Sequence, residues 1–395
     1  MEATAPIAHN RNVLVSALGI TQILAWGSSY YLPAVLAAPI ARDTGWSLAS
    51  VVAGLSCGLL LAGTVSPITG RLIQRHGGRP VLAASSLLLA AAHSLLATAT
   101  SYPLYLIAWL LMGLGMSSGL YDAGFATLGR LYGQGARGAI TNLTLFGGFA
   151  STVCWPLSAF LVEHGGWRIA CLAYAAIHLA ICLPLHLWLI PRPPPAAPTP
   201  ARAEPKEAPA TDRARTRFML LASIQTLAAL IASMLSVHLL TLLQLRGVGL
   251  AAAVGLGALV GPSQVGARVA ELLIGRNRHH PIWTMLTSVS LLAAGIWLFL
   301  TSQTFTALAL ILYGAGNGIH TIARGALPLV LFDPQQYAAL MGKLATPSLI
   351  VQAAAPSVGA LLLGIGGGNL VLTTLALAAT VNVGLCAYLV AAVRR

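Results

Sequence analysis

Acidic residues are almost missing from this chain: nine aspartates and glutamates in 395 residues, with only 8% of all residues charged. A soluble domain of that length cannot keep a solvated surface on so few charges. Cysteine is also scarce. The five present (Cys57, Cys154, Cys171, Cys182, Cys386) all fall in apolar stretches at spacings that match no disulfide framework or metal site, so they read as small packing residues. No Gly-x-x-x-x-Gly-Lys-Ser/Thr loop occurs, which excludes a P-loop ATPase, and no Ser/His/Asp arrangement or metal-ligand cluster stands out. The sequence therefore predicts no enzyme, no cofactor and no bound metal.

What is abundant is apolar sequence, at 57% hydrophobic residues and a mean hydropathy of +0.81. Runs of roughly 20 apolar residues recur, each long enough to cross a bilayer core. They are continuous rather than alternating, so they predict helices and not barrel strands. The first begins near Val13 and lacks a small-residue cleavage site, so no cleavable leader is expected. Twelve spans are expected, near 13–40, 48–72, 80–100, 103–127, 138–162, 168–190, 217–245, 248–274, 281–301, 305–328, 341–366 and 369–392. Seventeen of the 22 basic residues then fall on the side that carries both termini. By the positive-inside rule that side is cytoplasmic. The net charge of +13 thus records topology and affinity for anionic lipid headgroups, with no nucleic acid implied.

The segment 191–217 holds eight of the 22 prolines and no aromatic residue. It reads as an extended linker. The expected organisation is a six-helix half over 1–190, a linker over 191–216 and a second six-helix half over 217–395. The halves echo each other: Gly54-x-x-x-Gly58 returns as Gly257-x-x-x-Gly261, and "GRLIQRHGGRP" (70–80) returns as "LLIGRNRHHP" (272–281). Small-x-x-x-small pairs allow close helix approach, here expected where gating helices slide. Two related halves predict a rocking secondary transporter with its site near the midplane.

"GRLIQRHGGRP" resembles the loop between the second and third helices of the major facilitator superfamily, G-x-x-x-D-R-x-G-R-R. Gly70, Arg75, Gly77 and Arg79 fit it, while Gln74 stands where the family has Asp. The resemblance implies an all-α polytopic membrane protein of twelve helices in two pseudo-symmetric bundles. In it this loop latches one state; with Gln74 the latch would be a neutral hydrogen bond. Further stretches, "GSSYYLPA" (27–34), "GWS" (45–47), "GWR" (166–168) and "GPSQVGARVAELL" (261–273), resemble the monocarboxylate-transporter type. In that group an eighth-helix arginine, matched by Arg268, binds the substrate carboxylate. Its acidic neighbour is Gln264 here and its first-helix lysine is Ala34, so the group's proton-handling pair is lost.

Charges inside spans are costly, about 3 kcal/mol each on insertion scales, and each needs a reason. Asn317, His320 and Arg324 are spaced i, i+3 and i+7, one helix face, which fits the wall of a water-filled cavity. Arg324 either grips a carboxylate or snorkels to the headgroups. Arg268 and Glu271 are near enough to pair with each other. Asp122 lies deep in the fourth span, either as a proton-loading carboxyl or paired with Arg130 or a first-helix polar group. Gln22, Trp26, Ser29 and Tyr30 share a face that suits a small organic ligand, while Tyr31 and Trp46 read as membrane-interface anchors. Asn142, Thr144, Gln225 and His238 read as helix–helix contacts.

The sequence reading is therefore a monomeric, multi-pass inner-membrane transporter of a small organic anion. Arg268, Arg324, Tyr30, Asn317, Gln22 and Trp26 are expected at the substrate, and Asp122, Glu271 and His320 are proton-coupling candidates. Two alternatives stay open. One is efflux of a drug-like or toxic inorganic solute. The other is a non-transporting sensor, kept alive by the lost loop Asp and first-helix lysine.

Overall fold

A computed structural model describes residues 10–191, 212–274 and 280–394. Residues 192–211 of the linker and 275–279 of the loop echo lie outside the described residues, while 212–216, expected in the extended linker, already belong to the helix Asp212–Leu245. Every regular element described is helical. Eight helical stretches are long and apolar enough to cross a membrane, and two are composites of 88 and 61 residues. The first composite divides at the 133–135 turn and at Gly166; the second divides at Gly366 and Gly367. With Thr306–Leu331 added, the described residues form twelve helical passes. They are α1 (Arg11–Thr44), α2 (Leu48–His76), α3 (Gly78–Ala97), α4 (102–132), α5 (136–165), α6 (167–189), α7 (Asp212–Leu245), α8 (Leu250–Ile274), α9 (Pro281–Thr301), α10 (Thr306–Leu331), α11 (337–365) and α12 (368–394). Gly166 and Gly367 have φ of 77° and 65°, a left-handed backbone that glycine adopts without steric cost, and so turn the chain between passes.

Four passes are interrupted: α5 at Phe149, α8 at Ala258 and Leu259, α1 between Ser28 and Pro33, and α4 at Leu120. In α1, Gly27, Ser28 and Ser29 are poor helix formers and Pro33 has no N–H, so the helix stops at Ser28 and restarts at Pro33. The Tyr31 N–H reaches back to the Trp26 carbonyl instead (3.0 Å). In α4 the chain extends at Leu120 (φ −83°, ψ −169°) between Tyr102–Gly119 and Tyr121–Tyr132. A further irregularity is the π-turn His178–Cys182 of α6, just before Pro184.

One apolar core lies within each half, around Tyr105, Trp109 and Tyr174 in the first and Ile296, Phe299 and Leu375 in the second. A third core is shared: Leu14, Phe125 and Ile140 pack with Leu327, Tyr337 and Met341. This shared core sits at the end of the bundle that carries Arg75, Arg79, Arg130 and Arg137, the basic end.

The glycine pairs correct one expectation. A Cβ on Gly58 would meet the Trp109 carbonyl at 2.9 Å, and Gly54 abuts the Trp109 ring, so this pair packs α2 on α4 inside one half. Gly261 has nothing within 4 Å, and around Gly257 the nearest atoms are leucine methyls 3.6–3.7 Å away. The two halves meet closely at other glycines. Gly70 faces the backbone of Ala338 and Gly342, Gly342 abuts the Ser66 carbonyl, and Gly63 lies against Thr346, Leu349 and Ile350.

Candidate functional site

The basic end is closed by polar ties between the halves. The Gln74 side chain donates to the Gln335 carbonyl, and Gln134 Nε2 donates to the Leu329 carbonyl at 2.8 Å. The Tyr337 ring lies over Gly129 while its hydroxyl donates to the Gly325 carbonyl at 2.7 Å. Asp122 and Arg324 form an ion pair from α4 to α10, and Arg137 of α5 pairs with Glu271 of α8 at 3.5 Å. Asp122 also lines a polar cavity of about 10 Å³ with Ser66, Thr69 and Ser117, room for about one water. At the basic end, outside the spans, burial and then the Arg137 guanidinium push the His280 imidazole below its ordinary value.

Arg268 lies further in, 4% exposed. Its Nη1 donates to the Thr144 carbonyl of α5 at 2.8 Å, its Nε to the Gly318 carbonyl at 3.2 Å and its Nη2 to Thr321 Oγ1 at 3.4 Å. A Cβ on Gly148 would stand 2.6 Å from Nη1, so only glycine leaves the guanidinium this seat. All three partners are neutral. Among the described residues no carboxylate pairs with Arg268.

Beside it stands an aromatic group built on the α1 break. Trp26 packs against Tyr30, Tyr31 and Tyr121 with ring centroids 5.4, 6.0 and 5.1 Å away, and Tyr31 meets Trp155 of α5 at 6.2 Å. Gln22 fixes the arrangement: Nε2 donates to the Gly119 carbonyl exposed by the α4 break (2.6 Å), and Oε1 accepts from the Trp26 indole (3.2 Å). The Tyr121 hydroxyl donates to the Thr144 carbonyl at 3.3 Å. An open surface groove of about 470 Å³ runs beside this group, lined by Ala34, Val35, Ser151, Thr152 and Trp155.

Several expectations need correction. Glu271 does not pair with Arg268; one helical turn separates them, and Glu271 points to Arg137 and to Thr284 Oγ1 (2.8 Å). Asp122 is partnered by Arg324, not by Arg130 or α1. The stripe Asn317, His320 and Arg324 is not one wall, because the helix delivers its members to different neighbours. His320 Nδ1 faces Ser288 Oγ of α9 at 3.2 Å, Arg324 faces α4, and Asn317 is half-buried on the α10 turn whose carbonyl accepts from Thr321. Ser29 turns from the ligand face to its own helix, donating to the Ala25 carbonyl at 2.5 Å. Tyr31 is no interface anchor but part of the aromatic group. Trp46 packs edge-on against Tyr102 and Tyr105 at 5.4 and 5.3 Å. His238 does bond across helices, to the Pro356 carbonyl at 2.9 Å.

Sequence reasoning gave Thr144 a lesser part than it plays, placed Tyr121 on one helix face with Ser118 and Asp122 without its ring neighbours, and missed Gly148 as the seat of Arg268 and Arg137 as the partner of Glu271. Gly148 and Arg137 carry no local signal, since their roles depend on how the halves dock.

The family model for the Major Facilitator Superfamily matches residues 18–276. Monocarboxylate transporter 3 of Rattus norvegicus is 32% identical over 270 residues, which cover 64% of this chain and 52% of the relative. The chain thus spans about half the length of that relative. Among solved structures, the human organic anion transporter MFSD10 superposes with a TM-score of 0.74 at 19% identity, over 96% of this chain and all of that one. The E. coli fucose:proton symporter FucP gives 0.70 at 12% identity, covering 95% and 97%. FucP in its outward conformation gives 0.72 at 13%, covering 95% and 98%. At those identities the structures speak to the fold alone.

Proposed function

The chain belongs to the Major Facilitator Superfamily of membrane transporters, and from that premise we propose that it carries a small organic anion, a carboxylate, across the cytoplasmic membrane by alternating access. The basic end is the cytoplasmic one, with both termini there, and the chain works as a monomer. The observation that carries the anion reading is Arg268. A guanidinium held among carbonyl and hydroxyl dipoles has no counter-charge of its own, and inside a membrane that favours an anionic ligand. The 32% identity to a protein named for monocarboxylates supports the same class.

In this reading Trp26 and Tyr30 wall the site, Gln22 positions Trp26, and Asn317 faces the ligand from α10. Arg324 holds the closed end through Asp122 in this state and becomes free for substrate only when the halves part. Protonation of Asp122 removes one charge of that pair, which links proton arrival to opening.

The test is uptake of labelled short-chain carboxylates into proteoliposomes, with and without an inward proton gradient, comparing the native protein with Arg268→Ala. The expected result is carboxylate flux that is lost in the variant. Flux of a cationic drug that survives in the variant, with no carboxylate flux, would overturn the anion reading.

A further inference from the structure

The first half contains a buried histidine group away from the Arg268 site. His93 of α3 is fully buried, and both its ring nitrogens face carbonyl oxygens: Nδ1 is 2.7 Å from the Leu89 carbonyl, and Nε2 is 2.9 Å from the Ser28 carbonyl. His178 of the α6 π-turn lies alongside, ring centroids 5.7 Å apart, and its Nε2 is 2.8 Å from Ser28 Oγ. Nδ1 of His178 and Nε2 of His186 are buried with no hydrogen-bond partner.

A carbonyl oxygen only accepts, and a neutral imidazole has a single N–H. A neutral His93 therefore points one lone pair at an oxygen less than 3 Å away. An imidazolium donates to both. From this geometry we infer that His93 is a proton-binding site, and that the break in α1 reads its occupancy. The reader is the Ser28 carbonyl. Because α1 stops there, the Leu32 N–H bonds Ser29 instead (3.2 Å) and no described backbone N–H takes the Ser28 carbonyl. His93 supplies the missing donor. The same break sets Tyr30 and Tyr31 against Trp26, so the proton site and the aromatic wall share one hinge.

The titratable groups around the ring come from three helices besides α1. α6 contributes His178, Tyr174 at a centroid distance of 5.7 Å, and further along Cys182 and His186. α5 contributes Cys154, whose carbonyl accepts from the Tyr174 hydroxyl at 3.1 Å. α4 contributes Tyr105, which lies beside Cys171 of α6. Among the described residues no carboxylate, lysine or arginine bonds any of these groups. Burial away from a counter-charge works against the imidazolium. The proton therefore stays only while both carbonyls are in place, which ties its residence to the shape of α1. This site stands apart from the Asp122–Arg324 pair and does not depend on which solute is carried.

The test uses the full chain in lipid nanodiscs with ¹⁵N-labelled histidine, the His93 signals being assigned from the His93→Gln spectrum. Between pH 8 and pH 5, the range in which histidine changes charge, the two His93 nitrogens are expected to pass from one protonated and one unprotonated to both protonated. Amide exchange over residues 29–36, corrected for its intrinsic pH dependence, should lose protection as His93 deprotonates, and that response should be absent in His93→Gln. A His93 that keeps its single-proton pattern from pH 8 to pH 5 overturns the inference. So does a His93 that titrates while exchange over 29–36 stays unchanged. If His93→Gln folds poorly, the His93 ring nitrogens are assigned in the native protein by correlation to the residue 93 backbone, and that spectrum decides the first point.

Discussion

Arg268 and Arg324 are both arginines inside the bundle, on neighbouring helices, and they are held in opposite ways. Arg324 meets a carboxylate from the other half, Asp122, and the pair stitches α10 to α4. Arg268 meets two carbonyls and a hydroxyl. A paired guanidinium has its charge answered and acts as structure. One held by dipoles alone is oriented without being neutralised, and it favours whatever anion enters. The Asp122 carboxylate is helped in its place by the first turn of Tyr121–Tyr132, where a negative charge suits the helix dipole.

The sharpest way to break the comparison is to remove Arg268. Arg268→Ala should lower carboxylate uptake by about 30-fold or more, since truncating one side of a desolvated charge contact costs roughly 2–5 kcal/mol. Arg268→Lys should recover little, because a single ammonium cannot span Thr144, Gly318 and Thr321 as a planar fork does. Concentration-dependent uptake in proteoliposomes measures both. Uptake by Arg268→Lys equal to the native protein would mean that only charge matters.

Asp122→Asn tests the other arginine. It leaves Arg324 buried opposite a neutral amide, at a cost to the closed basic end of about 3 kcal/mol. Thermal melting in detergent should fall, and a thiol probe placed at the basic end should react faster. Asp122→Ala combined with Arg324→Ala should recover much of the loss, because neither charge is then left alone. A double variant no better than the singles would show that the pair does not act as a unit.

The contrast between these arginines was only half legible in the sequence. Apolar run lengths, the distribution of arginines and the 70–80 loop were enough for the twelve passes, since each depends on residues near in sequence. Arg268 was legible because it matched a pattern at its own position. The Asp122–Arg324 pair was not, because its members lie 202 residues apart and belong to different halves. Helical spacing placed His320 and Arg324 on one stripe correctly. It could not say that α9 stands on one side of that stripe and α4 on the other. Tyr31 was misread for a related reason: an amphipathic ring resembles an interface anchor until the break before Pro33 sets it against Trp26.

Glycine contacts allow a finer test of where the halves grip. Gly342→Ala would drive a methyl group into the Ser66 carbonyl and the Pro67 backbone, atoms that cannot rotate away. We expect the closed basic end to weaken by about 1–3 kcal/mol, the usual cost of overpacking. Gly261→Ala, with nothing within 4 Å, should change stability by no more than about 0.5 kcal/mol. Equal melting shifts for the two would mean that α2 and α11 do not approach as closely as described.

The smallest effect concerns the residue at which the loop departs from its family. Restoring the missing acid by Gln74→Asp looks like a repair. Here, however, the Gln74 amide donates to the Gln335 carbonyl, and a carboxylate has nothing to donate. The shorter side chain would also retreat from that oxygen. Gln74→Asp should therefore cost the closed end about 1 kcal/mol, the worth of one hydrogen bond, and raise thiol labelling at the basic end only severalfold. Gln74→Glu, of matching length, should behave no better. If Gln74→Asp instead slowed labelling, the loop would have kept a cationic partner for an acid. The glutamine would then be a weakened form of the family latch and not a different one.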